Sequence, residues 1–184
     1  MQDLIESAAY VQRELDARRL PNCLIGGIAL QAWGGVRMTR DADFSVFTGF
    51  EAEDEKIRAM LQIVAPRVPD AEEFAIQNRV LLGVSPGGVP IDIGLAGFDY
   101  ERRVLDRAVL FSFSESIMLR ICSAEDLVVM KVFAGRIQDW ADLESIIHRQ
   151  SRLDWKRIEV EATPLLEVID ALDRWPRLEL MRAM

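Results

Sequence analysis

Three aspartates are the residues of this sequence best placed to do chemistry. Asp41 and Asp43 stand two apart in Asp41-Ala-Asp-Phe-Ser-Val-Phe47, and Asp92 lies inside Val89-Pro-Ile-Asp-Ile-Gly94. On an extended strand, residues i and i+2 point to one side about 7 Å apart along the backbone, so their carboxylates can converge. Two carboxylates about 4 Å apart repel by roughly 4 kcal/mol at an effective dielectric near 20, and a third on a neighbouring strand adds to that. Such a group calls for cations. Magnesium, with manganese as its substitute, prefers oxygen ligands and takes a few carboxylates together with substrate phosphates; paired ions can clamp an in-line phosphoryl displacement. Upstream, Gly26-Gly27 lets backbone N–H groups come close to an anion at the start of a helix. Each feature also has a plain reading: an exposed polar strand edge for the aspartates, a strand-to-helix turn for the glycines.

These groups need elements to hold them. Leu4, Ala8, Val11 and Leu15 predict a helix over Asp3 to Arg19, ended by Pro21-Asn22. Cys23-Leu24-Ile25 reads as a buried strand entering the Gly-Gly turn, followed by a short helix from Ile28 to about Trp33 and a stop at Gly34-Gly35. The alternation from Asp41 to Phe47 predicts a strand with Asp41, Asp43 and Ser45 on one face. A helix is expected over Glu53 to Val64, then a hairpin of Val80 to Val84 and Val89 to Leu95 about the Pro86-Gly87-Gly88 turn, beside the first two strands. The acidic run from Glu51 to Glu73 reads as a solvated helix and loop. Tyr100 to Arg107 is expected as helix, and Ala108 to Phe113 and Ile117 to Ile121 as edge strands. From Ser123, which precedes Asp126 at the spacing of a helix N-cap, the pattern is helical through Met184, with breaks at Pro164 and Pro176. The expected fold is α/β (α+β): a small mixed sheet flanked by helices over residues 1–122, with a helical C-terminal region, residues 123–184, packed on that core.

The order apolar-Gly26-Gly27, spacer, Asp41-x-Asp43 and a third strand aspartate, Asp92, resembles the signature of the nucleotidyltransferase superfamily, which includes polymerase-beta-like enzymes. A second block, Lys131-Val-Phe-Ala-Gly-Arg136-Ile-Gln-Asp139-Trp-Ala-Asp142, resembles the Lys-x-x-Ala-x-Arg-x-x-Asp-x-x-Asp segment of AbiEii-like nucleotidyltransferases, a bacterial group containing toxins of type IV toxin–antitoxin systems. The resemblance runs from about Leu24 to Ile147. It implies a nucleotidyltransferase fold and metal-dependent transfer of a nucleoside monophosphate from a nucleoside triphosphate to an acceptor, with pyrophosphate leaving. By position, Gly26 and Gly27 would face the β- and γ-phosphates, though Gly27 lacks the hydroxyl of the serine that the family can carry there. Asp41 and Asp43 would bind both metals. Asp92 would complete the second metal site and help deprotonate the acceptor. Lys131 would contact the triphosphate, as against snorkelling to water. Asp139 would orient Lys131 or help form the nucleotide site, as against capping a helix. Arg37 would meet phosphate or simply pair with a carboxylate.

Composition bounds the partners. The chain has 184 residues, 28% of them charged, and a net charge of -8, so a polyanionic partner needs a local basic patch. Arg149, Arg152, Lys156 and Arg157 offer one, diluted by neighbouring acids. RNA (a tRNA end) or protein is the acceptor the resemblance suggests, with an antitoxin protein as partner; a small cationic acceptor of the aminoglycoside kind suits the acidity, and a binding module without turnover is the third reading. No stretch reaches the roughly 20 apolar residues of a membrane span, and Met-Gln-Asp-Leu-Ile-Glu has no basic run before an apolar one. A cytoplasmic protein is expected. Cys23 and Cys122 read as core residues, Trp33 as packing, and His148 as solvated on its helix, which leaves no histidine-based triad.

Overall fold

A computed structural model of the chain describes residues 2–35 and 37–183; Met184, at the end of the expected helical stretch, lies outside them. Its contacts gather into two compact units. One holds the residues up to Ile28 together with Met38–Cys122, the other Ala29–Arg37 together with the residues from Ser123 on.

Among the described residues the first unit is built on a mixed sheet of seven strands: β1 (Asn22–Leu24), β2 (Ala42–Phe47), β3 (Ala65–Pro66), β4 (Val80–Val84), β5 (Pro90–Ala96), β6 (Val109–Ser112) and β7 (Met118–Ile121). Their spatial order is β3-β4-β5-β2-β1-β7-β6. Helix α1 (Gln2–Ala17) precedes β1, α2 (Gly26–Ala32) follows it, and α3 (Glu53–Leu61), α4 (Ala71–Asn78) and α5 (Asp99–Asp106) lie between the later strands. Helix α1 buries the stripe of Leu4, Ala8, Val11 and Leu15 that its spacing predicts. It is also tied to β7 by a buried polar side chain: Gln12 Nε2 donates to the Arg120 carbonyl at 3.0 Å, and the Arg120 N–H donates to Gln12 Oε1 at 2.7 Å. A glutamine there completes the hydrogen bonding of a strand that a leucine would leave unpaired.

Strands β2 and β5 carry the candidate residues because they alternate. Ala42, Phe44 and Val46, with Ile91, Ile93 and Leu95, are buried, leaving Asp43 and Asp92 on the opposite, half-buried side. Fully burying a side chain such as Phe44 contributes about 1.5–3 kcal/mol, and a one-residue slip would exchange the faces. Burial therefore sets the register of the aspartates. The hairpin of β4 and β5 lies beside β2 as expected, and Cys23 and Cys122 are buried.

Three features differ from the sequence reading. Strand β7, expected at an edge, lies inside the sheet between β1 and β6, and only β6 is at that edge. The acidic stretch after α3 holds the short strand β3 and the helix α4. The two prolines expected as breaks also lie inside helices: Pro164 within α8 (Trp155–Val168) and Pro176 in the first turn of α9 (Arg174–Ala183). Pro176 is tolerated because first-turn N–H groups have no intrahelical partner to lose. Pro164 removes the bond to the carbonyl four residues earlier, on Val160, whose side chain is 57% exposed on the wet side of the helix.

The second unit packs α6 (Ala124–Ala134) against α7 (Ile137–Arg149) and α8 around Leu127, Val128, Val132, Leu143, Ile146, Ile158 and Leu166. The N-cap forms as expected: Ser123 Oγ accepts from the Asp126 N–H at 3.1 Å and donates to Asp126 Oδ2 at 2.6 Å. Helix α6 is buried on most of its circumference, so a charged residue on it has little access to water. No helix among the described residues is long and apolar enough to cross a membrane.

Candidate active site

In the first unit the three aspartates come together. Asp43 and Asp92 are direct partners in the parallel pairing of β2 with β5, and Asp41 immediately precedes β2. One carboxylate oxygen from each of Asp41, Asp43 and Asp92 lies within 4.8 Å of the others, and all three side chains are half-buried. The expected strand face thus forms a cluster even though Asp41 stands just outside the strand. The donor set is all oxygen and open on one side, which fits a hard divalent cation that keeps positions for substrate phosphates. Asp92 feels the crowding: burial pushes its carboxyl up, Arg67 beside it pulls it down, and Asp41 pushes it up again, leaving it above the ordinary carboxylate range.

The Gly26-Gly27 turn is pressed against these carboxylates. Gly26 has φ +58°, and a Cβ built on it would stand 2.0 Å from Asp43 Oδ2, so position 26 requires glycine on both counts. The Ile25 N–H donates to the Asp43 carbonyl at 2.9 Å, and the Gly27 N–H donates to Asp43 Oδ2 at 3.3 Å. The turn therefore presents its amides to the same spot as the acidic cluster.

Thr39 and Arg67 are two members of this site whose part the sequence reading missed. Thr39 Oγ1 donates to Asp41 Oδ1 at 2.6 Å and so fixes one carboxylate of the cluster. The same oxygen lies 2.5 Å from where a Cβ on Gly27 would be. The serine that the family can carry at this position would collide with Thr39, and the threonine hydroxyl fills that space instead. Gly27→Ser alone should therefore destabilise the protein by about 1–3 kcal/mol through overpacking, and because the Thr39 Cβ itself would stand 2.6 Å from the new one, only Thr39→Gly in the same chain should restore part of it. Thermal melts of the single and double variants test this, and equal melting of Gly27→Ser and the parent would refute it. The threonine stands at the right spacing in Arg37-x-Thr39-x-Asp41, but only the folded turn shows what it touches. Arg67, 25 residues before Asp92 in the chain, forms an ion pair with its carboxylate.

Lys131, Asp139 and Asp142 meet in the second unit. Lys131 lies in the last turn of α6. The chain then turns at Gly135, φ +62°, and restarts at the extended Arg136, which puts Asp139 in the first turn of α7 and Asp142 one turn on. Across this corner Lys131 Nζ donates to Asp139 Oδ1 at 3.0 Å and to Asp142 Oδ2 at 2.6 Å, all three side chains being buried. The spacing of the second motif is the spacing of this corner. Lys131 does not snorkel. Asp139 also closes the start of α7, its Oδ2 accepting from the Arg136 N–H at 3.1 Å and from Arg136 Nε at 2.7 Å. Burial by itself would raise the Asp139 carboxyl, but the hydrogen bonds from Arg136 and Lys131 outweigh it and hold the group below its ordinary range. Arg37 pairs through Nε with Asp142 Oδ1 at 3.4 Å, its own side chain 40% exposed. His148 is exposed on α7, and Trp33 is half-buried with its carbonyl accepting from Gln150.

Similar folds are known. A nucleotidyltransferase-like antigenic protein from Paracoccidioides brasiliensis superposes with a TM-score of 0.53 at 15% identity, covering 94% of this chain and 91% of that one. Two structures of the antibiotic-resistance factor ANT(2'')-Ia, one of them in complex with adenylyl-2''-tobramycin, give TM-scores of 0.45 and 0.47 at 17% and 16% identity. They cover 97% of this chain and 89% and 94% of theirs. No curated protein matches the chain by sequence. The family model for the nucleotidyl transferase AbiEii toxin of type IV toxin–antitoxin systems matches residues 13–175, nearly the whole chain, with both the aspartate cluster and the lysine corner inside it. The chain belongs to the AbiEii nucleotidyltransferase family.

Proposed function

We propose that this nucleotidyltransferase moves a nucleoside monophosphate from a nucleoside triphosphate to a hydroxyl of RNA, a tRNA end included, or of protein, as the toxin partner of an antitoxin. The observation that carries the reading is the cluster of Asp41, Asp43 and Asp92, with carboxylate oxygens within 4.8 Å of one another. Asp41 and Asp43 would hold both of two magnesium or manganese ions, and Asp92 would complete the second site. Bound there, the ions would neutralise the carboxylates and withdraw charge from the phosphate oxygens of an in-line displacement.

The chain's own groups supply the rest. Gly26 and Gly27 bring peptide N–H groups up to the phosphates. Thr39 keeps Asp41 turned to the cluster. Asp92, held above the ordinary carboxylate range by burial and by Asp41 against the pull of Arg67, is the group suited to take the acceptor's proton. In the step itself the acceptor oxygen bonds to the α-phosphorus, and the bond from that phosphorus to the bridging oxygen breaks. Pyrophosphate leaves with the electron pair, and the hydroxyl proton passes to the Asp92 carboxylate. In the second unit, Lys131 and Asp139 enter the reading through their corner. The ammonium orders Asp139 and Asp142, and Asp142 holds the partly exposed Arg37.

Incubating the protein with magnesium, each α-labelled triphosphate in turn and total bacterial RNA tests the reading. Label is expected on RNA or on protein, and chelation should remove it. Label that appears only on an added aminoglycoside would make the acceptor a small molecule. Bound triphosphate with neither label transfer nor pyrophosphate release would leave a binding module.

A further inference from the structure

Arg67 occupies a position that neither motif includes. It follows β3 directly, and its N–H donates to the Leu82 carbonyl at 3.0 Å. Leu82 is the partner of Asp92 across β4 and β5, and Asp92 is the partner of Asp43 across β5 and β2. Arg67, Leu82, Asp92 and Asp43 therefore form one row across four chain segments. Residues paired in register point to the same side of a sheet, so the guanidinium reaches over Leu82 to the Asp92 carboxylate, where it forms its ion pair. Both side chains are 31% exposed, so the pair is accessible to water and ions without being freely solvated.

We infer that Arg67 is a displaceable counter-ion of Asp92, which a divalent cation must dislodge before the acidic cluster can close around it. This rests on the metal reading of Asp41, Asp43 and Asp92 given above. A carboxylate oxygen engaged by a guanidinium has one fewer lone pair for a metal, and the two cations repel each other across a shared ligand. Arg67 then sets how much divalent ion the site needs. Its planar fork matches a carboxylate or a phosphate equally well, so displacement by the ion frees it to take a phosphate oxygen at the same edge. Arg67 is thus a positioning residue acting through Asp92.

Manganese binding, read from the loss of the free-ion electron paramagnetic resonance signal, tests this without any turnover. Arg67→Ala and Arg67→Gln should each bind manganese about three- to tenfold more tightly than the parent, the range expected for releasing a partly exposed ion pair. Arg67→Lys, a point charge without the fork, should fall between. In an Asp92→Asn background the same arginine substitutions should change nothing. Arg67 sits at the sheet edge after a two-residue strand, so the variants should keep the parent circular dichroism. Manganese affinity that is unchanged or weaker in both Arg67→Ala and Arg67→Gln would overturn the inference and leave the metal reading standing. If parent and variants alike bind manganese no better than an Asp41→Asn/Asp43→Asn chain, the metal reading falls and the inference with it.

Discussion

Asp43→Asn should abolish nucleotidyl transfer, lowering the rate of label incorporation by at least about a thousandfold, while leaving the protein folded. The size of the effect follows from the charge removed. Asp43 lies at the centre of the cluster, between Gly27 and Asp92, and in the proposed mechanism it serves both metal positions, so its loss weakens both at once. Folding should survive because asparagine keeps the shape, and its amide oxygen can still accept the Gly27 N–H that now meets Asp43 Oδ2 at 3.3 Å. Removing one of three mutually repelling carboxylates should leave the metal-free melting temperature unchanged or slightly higher. Asp41→Asn is expected to behave alike, with its Thr39 contact retained. Activity above about a tenth of the parent in a folded Asp43→Asn protein would contradict the cluster's assigned role, since no electrostatic term of this kind is worth so little.

Lys131→Met should be strongly destabilising, costing about 3–5 kcal/mol at neutral pH. Methionine fills a similar space, so packing is nearly conserved, but two buried carboxylates lose the ammonium between them. Asp139 keeps Arg136, and Asp142 keeps Arg37 and a 3.2 Å bond from Gln138, partners that compensate only partly for a cation held at 2.6 and 3.0 Å. A fall in melting temperature on the order of 10 °C follows for a chain of this size. The loss should depend on pH with a definite sign. Asp139 is held below its ordinary range in the folded protein, so its stabilisation is complete above the unfolded value near 3.9 and disappears as pH falls through the lower, folded one. The gap between parent and Lys131→Met in denaturant melts should therefore be wide at pH 7 and narrow as pH falls toward the lowered folded value of Asp139. A shift under 2 °C at pH 7 would mean that the lysine is not the cation these carboxylates depend on.

The sequence disclosed the parts of this protein that repeat at short range. Asp41 to Phe47 and Val89 to Leu95 alternate cleanly because one face of each strand meets the core, and Pro86-Gly87-Gly88 can only be a turn, so the strands bearing the aspartates were readable. Gly26 was readable too, since few other residues accept φ +58° beside a carboxylate. What escaped depends on partners distant in the chain or on local geometry without a residue signature. Strand β3 is two residues long and contains Pro66, too short to alternate, and α4 begins at an Asp70 that makes no side-chain cap bond. Arg67 finds Asp92 only through the registers of β3 on β4 and β4 on β5. The apolar neighbours of Lys131 left its ammonium free to point to water or to a buried partner, and the Gly135 corner decides the matter by bringing Asp139 and Asp142 to it. Pro164 misled because it lies where the helix faces water, and there a missing hydrogen bond is easily replaced.

The parallel pairing of β2 with β5 bears on how the protein comes to life during synthesis. Asp41 and Asp43 leave the ribosome before Asp92, and the strand that brings Asp92 alongside them follows a crossover through α3, β3, α4 and β4. Until about residue 96 has emerged and docked, the nascent chain has two of the cluster's carboxylates in place and not the third. A contact so distant in sequence forms slowly and late. A product truncated before β5 therefore lacks the complete cluster of Asp41, Asp43 and Asp92, and in the proposed mechanism it has no third carboxylate with which to hold the ions.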